Sequence, residues 1–142
     1  MKTDLLLIAL SEYGLKEAPG PADNPIILQM AKDCGFTDYV HDATAWCSLF
    51  ANWVCLKTGY ERSKSLAARS WLSVGQPTDD PTQADIVVYW RDDPNGPFGH
   101  VGFPVKRDNA FQWTLAGNQA DMVNIEPFGL SRILGYRILS KV

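Results

Sequence analysis

Cysteine and histidine are scarce: the 142-residue chain holds three of the first and two of the second. Three thiols cannot all pair within one chain, which excludes a disulfide-stapled secreted miniprotein and leaves at least one thiol free or bonded to another chain. There is no CxxC pair and no short Cys/His spacing, so a zinc site lacks a ligand set; no metal or other cofactor is expected. Long apolar runs are missing too. Leu5 to Leu10 is far too short to cross a bilayer, and Ser11-Glu12-Tyr13 follows it where a signal peptide would place small residues. The expectation is a chain made in the cytoplasm without a leader and without membrane insertion. Nor is there a basic excess. Thirteen Lys and Arg against sixteen Asp and Glu give a net charge of −3, which argues against binding nucleic acid through a basic face.

What is present is an ordinary globular composition, 46% hydrophobic and 20% charged, with five tryptophans. The length fits one domain spanning residues 1–142, long enough to bury a core without disulfides. The first half reads as helices. Thr3 is expected to cap a helix through about Tyr13, with Gly14 as its stop, and Asn24-Pro25 opens a second that ends near Gly35. After a loop with Tyr39, His41 and Asp42, Thr44 is expected to cap a third helix, from about Ala45 to Lys57, closed by Gly59. Its apolar residues go nearly all round, so it should be the buried central helix. A short fourth helix runs from Leu66 to Ser73. The period then changes. Strands are expected at Asp85–Trp90, His100–Val105, Ala110–Leu115, Val123–Ile125 and Ile133–Leu139, with loops at Lys106–Asn109, at Gly117 to Asp121 and around Pro127 and Gly129. Helices first and an antiparallel meander after make an α+β fold.

Cys47 stands at the first turn of the expected central helix. A helix N-terminus carries partial positive charge and free N–H groups, which favour a thiolate and can receive an oxyanion. Without a base it would be a small buried hydrophobe. Cys55 lies two turns on, roughly 12 Å along the axis and out of disulfide reach of Cys47. Cys34 ends the second helix; a Cys34–Cys55 bridge is geometrically possible but unforced, and both read as packing residues. His100 opens a strand in Gly99-His100-Val101-Gly102-Phe103, where flanking glycines leave the imidazole room. A strand packed on the start of the central helix would bring that base to Cys47. A catalytic histidine also needs a third group to fix its tautomer, and Asn118, Gln119 and Asp121 lie one hairpin later. Taken alone, that cluster reads as turn chemistry.

The strings Asp42–Trp53 (DATAWCSLFANW), Asp85–Arg91 (DIVVYWR), Gly99–Phe103 (GHVGF) and Gly117–Gln119 (GNQ) together resemble the NlpC-type cysteine peptidases and the similar CHAP-type amidohydrolases. The small bacterial and phage branch is the nearest match, and Asn24-Pro25 and Ala67–Trp71 (AARSW) resemble it too. The resemblance implies a papain-like fold, with N-terminal helices packed on a C-terminal antiparallel sheet. It implies cleavage of amide bonds in peptidoglycan, through Cys47 as nucleophile, His100 as base and Asn118 as first choice of orienter, with Gln119 the alternative. Asp42, Trp46 and Gln119 are assigned to substrate binding. Relatives often carry an acidic residue before the cysteine, where this chain has Trp46, and a second histidine as orienter, where it has the Asn118-Gln119 pair. Trp46 reads equally as a groove wall or a core residue. No cofactor, a monomer, and action on the cell wall after release or delivery, in the manner of an endolysin, complete the expectation. Its rivals are a delivered toxin acting on proteins as a cysteine amidase, an inactive papain-like binding module, and a redox sensor built on Cys34 or Cys55.

Overall fold

The computed structural model describes residues 1–19, 23–38 and 45–142. The expected loop residues His41 and Asp42 lie outside the described residues, as does Thr44; the third helix is corrected to start at Cys47, with Trp46 rather than Thr44 in the cap position.

Three helices come first: α1 (Thr3–Ser11), α2 (Pro25–Cys34) and α3 (Cys47–Thr58). The second follows its punctuation closely. The Asn24 side chain accepts the Ile26 N–H, Pro25 takes the first helical position, and Gly35 leaves the helix in the left-handed conformation. Ile27, Met30, Ala31 and Cys34 form its buried stripe at helical spacing. In α1 the expected Thr3 cap is corrected. Lys2 holds the cap position, and Thr3 is already helical. The Lys2 backbone N–H is instead taken by Asp85, a tertiary partner that a local capping rule does not see. Helix α3 buries Cys47 to Asn52, Val54 and Cys55, hence nearly its whole circumference, and packs on α1, α2 and two central strands. The expected fourth helix is a 3₁₀ turn, Ala68–Ser73.

Six strands follow: β1 (Gln76–Thr78), β2 (Ile86–Trp90), β3 (Gly99–Arg107), β4 (Phe111–Gln119), β5 (Met122–Gly129) and β6 (Ile133–Ile138). They make one antiparallel sheet in the order β1-β6-β2-β3-β4-β5. The strands β4 and β5 run straight through the loops expected at Gly117 and at Pro127. Proline is tolerated there because β5 is the sheet's edge. One face, with Ile86, Val88, Val101, Phe103, Leu115 and Val123, packs on the helices. The opposite face closes on itself. Tyr89 of β2 stacks on Phe128 of β5 with ring centres 4.6 Å apart, although two strands separate them, and the Tyr136 hydroxyl of β6 donates to Gln112 of β4 at 2.8 Å. Contacts between strands so far apart in the order require a strongly coiled sheet. Its concave side holds a second cluster of Ala84, Val87, Tyr89 and Tyr136. Burial on both faces explains the unbroken apolar run of β2.

Candidate active site

Cys47 is the first residue of α3 and only 6% exposed. Trp46 caps the helix without a side-chain cap bond, so the first-turn N–H groups have no intrahelical acceptor. The N–H groups of Val101, Ser48 and Cys47 itself point at the thiol and favour its ionisation. Burial acts more strongly in the opposite direction and holds the thiol above its ordinary value. Val101 is the residue after His100, so β3 brings the histidine's strand directly to the start of α3, as the sequence requires.

His100 is 8% exposed and packs on Phe128 at 5.0 Å and Tyr89 at 6.3 Å between ring centres. Its Nε2 lies 2.9 Å from Gln119 Oε1. The Gln119 amide nitrogen faces three acceptors, the carbonyls of Thr114 and Asn124 and the Asn124 side-chain oxygen, at 3.1, 2.9 and 2.9 Å. A nitrogen facing three oxygens must be the NH₂ group, so the oxygen of the same amide faces His100. His100 Nε2 therefore carries the hydrogen and donates it, and Nδ1 is left with the lone pair of a base. Burial first, then the charges of Arg132 and Arg91, push the imidazole pKa down to about 4. Burial thus opposes the charged form of each group, the thiolate at Cys47 and the imidazolium at His100.

The orienting contact belongs to Gln119 and not to Asn118, which corrects the first-choice assignment. The reason is parity. Along β4, Gln112, Thr114 and Ala116 face the concave side with His100, so regular alternation would put Asn118 there too. The β4–β5 register shifts between Ala116 and Gln119, and Asn118 adopts a left-handed φ of 60°. This bulge re-aims the strand and turns Gln119 to the histidine. Asn118 is left on the wall of an open cleft of about 610 Å³, with no hydrogen bond to His100. Trp46 is corrected as well. It is fully buried, donates from Nε1 to Glu17 at 2.7 Å and covers Gly117, and it does not line the cleft. Gln119 lines the cleft, but its amide is already used within the protein. Asp42 lies outside the described residues.

His100, Arg91, Arg132, Glu126 and Phe128 also line this cleft. Arg91 stood within the matching string, whereas Arg132 and Phe128 had no local feature to mark them. The other two cysteines are buried and unpaired; desolvation pushes Cys34 up to about 11 and raises Cys55 as well. Among the described residues, no group of three His, Cys, Asp or Glu side chains is placed to hold a metal.

No protein-family profile matches the chain, and no curated protein matches it. Among solved structures it is similar to NlpC1 from Trichomonas vaginalis, with a TM-score of 0.58 over 96% of this chain at 16% identity. The chain spans 44% of that protein's length. At this identity the likeness establishes the fold: an NlpC-like, papain-type α+β arrangement.

Proposed function

We propose that this chain is a cysteine peptidase or amidase that cuts amide bonds in peptidoglycan stem peptides or cross-links. The observation that carries the reading is the bond from His100 Nε2 to a Gln119 amide fixed on its other side, on the strand whose next amide meets the Cys47 thiol. In this reading Cys47 is the nucleophile, His100 a base of defined tautomer and Gln119 its orienter, on an NlpC-like fold. His100 Nδ1 takes the Cys47 proton as the thiolate attacks the amide carbonyl. The N–H groups at the start of α3 receive the oxyanion. The imidazolium then protonates the leaving amine, and water releases the acyl group from the thioester. Burial disfavours the thiolate and the imidazolium alike, which supports proton transfer in step with attack over a standing ion pair.

In this reading one papain-like unit acts as a monomer on the cell wall after release or delivery, as an endolysin does. The test is digestion of defined muropeptides with mass spectrometry of the fragments. Wild type should release stem-peptide fragments, and Cys47→Ala and His100→Ala should release none while keeping the native circular dichroism. Cleavage by folded Cys47→Ala, or no cleavage of any muropeptide by wild type, overturns the reading.

A further inference from the structure

Two guanidinium groups stand in the cleft beside His100 that the proton transfers above do not use. Arg132 lies in the 3₁₀ turn between β5 and β6 and is held on three sides. Its guanidinium carbon is 5.8 Å from the Trp90 ring centre and 5.4 Å from that of Phe128. Its Nε and one Nη donate to the Trp90 carbonyl at 3.2 and 3.1 Å. Trp90 is itself fixed, since its Nε1 donates to the Ser131 carbonyl at 3.1 Å. A guanidinium has five N–H donors in a rigid plane, so both bonds to one carbonyl leave the Nη edge unoccupied. Arg91, the residue after β2, is exposed and lines the same cleft.

Neither arginine forms an ion pair among the described residues, although three carboxylates share the cleft. Those carboxylates are turned to other work. Glu17 accepts from Trp46, Glu126 accepts from Asn124, and Asp121 sits in the β4–β5 turn. The wall is therefore not basic overall. It presents a pre-oriented, unpaired guanidinium at one place, next to the ring that stacks on the catalytic histidine. An arginine already immobilised by stacking loses little freedom on binding, and its open edge matches a planar carboxylate in bidentate fashion.

We infer that Arg132, assisted by Arg91, is the specificity site for a free carboxylate on the substrate, and that it selects stem peptides with a free carboxylate over their amidated counterparts. The inference rests on the peptidase reading for the identity of the substrate. It also fits the electrostatics of the site, because both arginines oppose a charge on His100 and a bound carboxylate offsets them.

The test compares matched stem peptides, one with a free isoglutamyl carboxylate and one with the carboxamide. Calorimetric titration of Cys47→Ala should show the acid form bound about tenfold more tightly, the size of one charge-assisted contact. Adding Arg132→Gln should bring the acid form to the level of the amide, and Arg91→Gln, at an exposed position, should narrow the gap in the same direction. In turnover by proteins with Cys47 intact, the Arg132→Gln loss should fall on KM for the acid form rather than on kcat. Equal binding of the two forms, no binding of either, or an equal loss on both in the arginine variants overturns the inference. The two readings fail separately. Wild type that cuts both peptides equally well keeps the peptidase and refutes the carboxylate site. Preferential binding of the acid form by a wild type that cuts neither keeps the site and refutes the peptidase.

Discussion

Gln119 uses both ends of its amide to hold one ring nitrogen of His100, and in the proposed mechanism this single residue decides which nitrogen acts as base. Gln119→Ala leaves a buried N–H without an acceptor and frees the imidazole to take the other tautomer. Losing an orienter of this kind costs about 10–100-fold in activity, and kcat should carry the loss. Asn118→Ala removes a side chain with no bond to His100, so its kcat should fall by far less than that of Gln119→Ala; the ratio of the two measured kcat values is the check. A kcat for Asn118→Ala as low as that of Gln119→Ala would contradict the assignment. The histidine also sets a pH window. Its pKa is pushed from 6.5 down to about 4 by burial, so the folded protein refuses a proton that the unfolded chain accepts. Stability therefore rises with pH between about 4 and 6.5 and is lost as pH falls through that range, by up to roughly 3 kcal/mol. Urea unfolding at pH 4.5 and 7 should show this difference, and His100→Ala should reduce it. The acid limb of kcat/KM should lie near pH 4 rather than near 6.5.

The bulge at Gly117 and Asn118 acts at the level of the element. A side chain at Gly117 would place its Cβ 2.6 Å from the Trp46 ring and 3.0 Å from the Phe50 Cβ. Both neighbours are fully buried and cannot step aside. Gly117→Ala is therefore expected to cost about 1–3 kcal/mol by overpacking, read as a lower urea midpoint. Activity should fall with it, because Trp46 caps the helix that presents Cys47. The helices were legible because their signals are local: Asn24-Pro25, Gly35 and Gly59 each act within a turn of themselves. The placement of Cys47 at a helix start and of His100 on a strand was legible for the same reason. Strand ends were not, since β4 and β5 extend as far as each has a partner, through a glycine and a proline that would otherwise read as loop. The choice of Gln119 over Asn118 was hidden because period-2 alternation assumes no bulge, and Arg132 was hidden because its meaning comes from Trp90, forty-two residues away. The β1 strand, three residues paired with β6, has no pattern of its own.

At the scale of the whole molecule, the start of the chain is tied to the coiled sheet through one buried carboxylate. Asp85 precedes β2 and is fully buried. It accepts the Lys2 backbone N–H at 2.9 Å, the Lys2 ammonium and the Leu139 N–H at 2.8 Å. The ammonium also donates to the Leu139 carbonyl at 2.7 Å. One side chain thus joins the cap of α1, the entry to β2 and the end of β6. Removing it leaves two backbone donors without their acceptor and the ammonium with the Leu139 carbonyl alone, whereas removing the lysine side chain leaves the carboxylate two of its three partners. Asp85→Ala should accordingly destabilise by about 3 kcal/mol. Lys2→Ala should cost well under half of that, since the lysine side chain is 37% exposed and its pair is partly screened. Urea denaturation of the two variants beside wild type measures both. Equal losses would mean that the ion pair, rather than the backbone bonds to Asp85, holds α1 against the sheet. Asp85 lies outside the cleft and touches none of Cys47, His100 or Gln119, so the surviving folded fraction of either variant should keep the wild-type kcat.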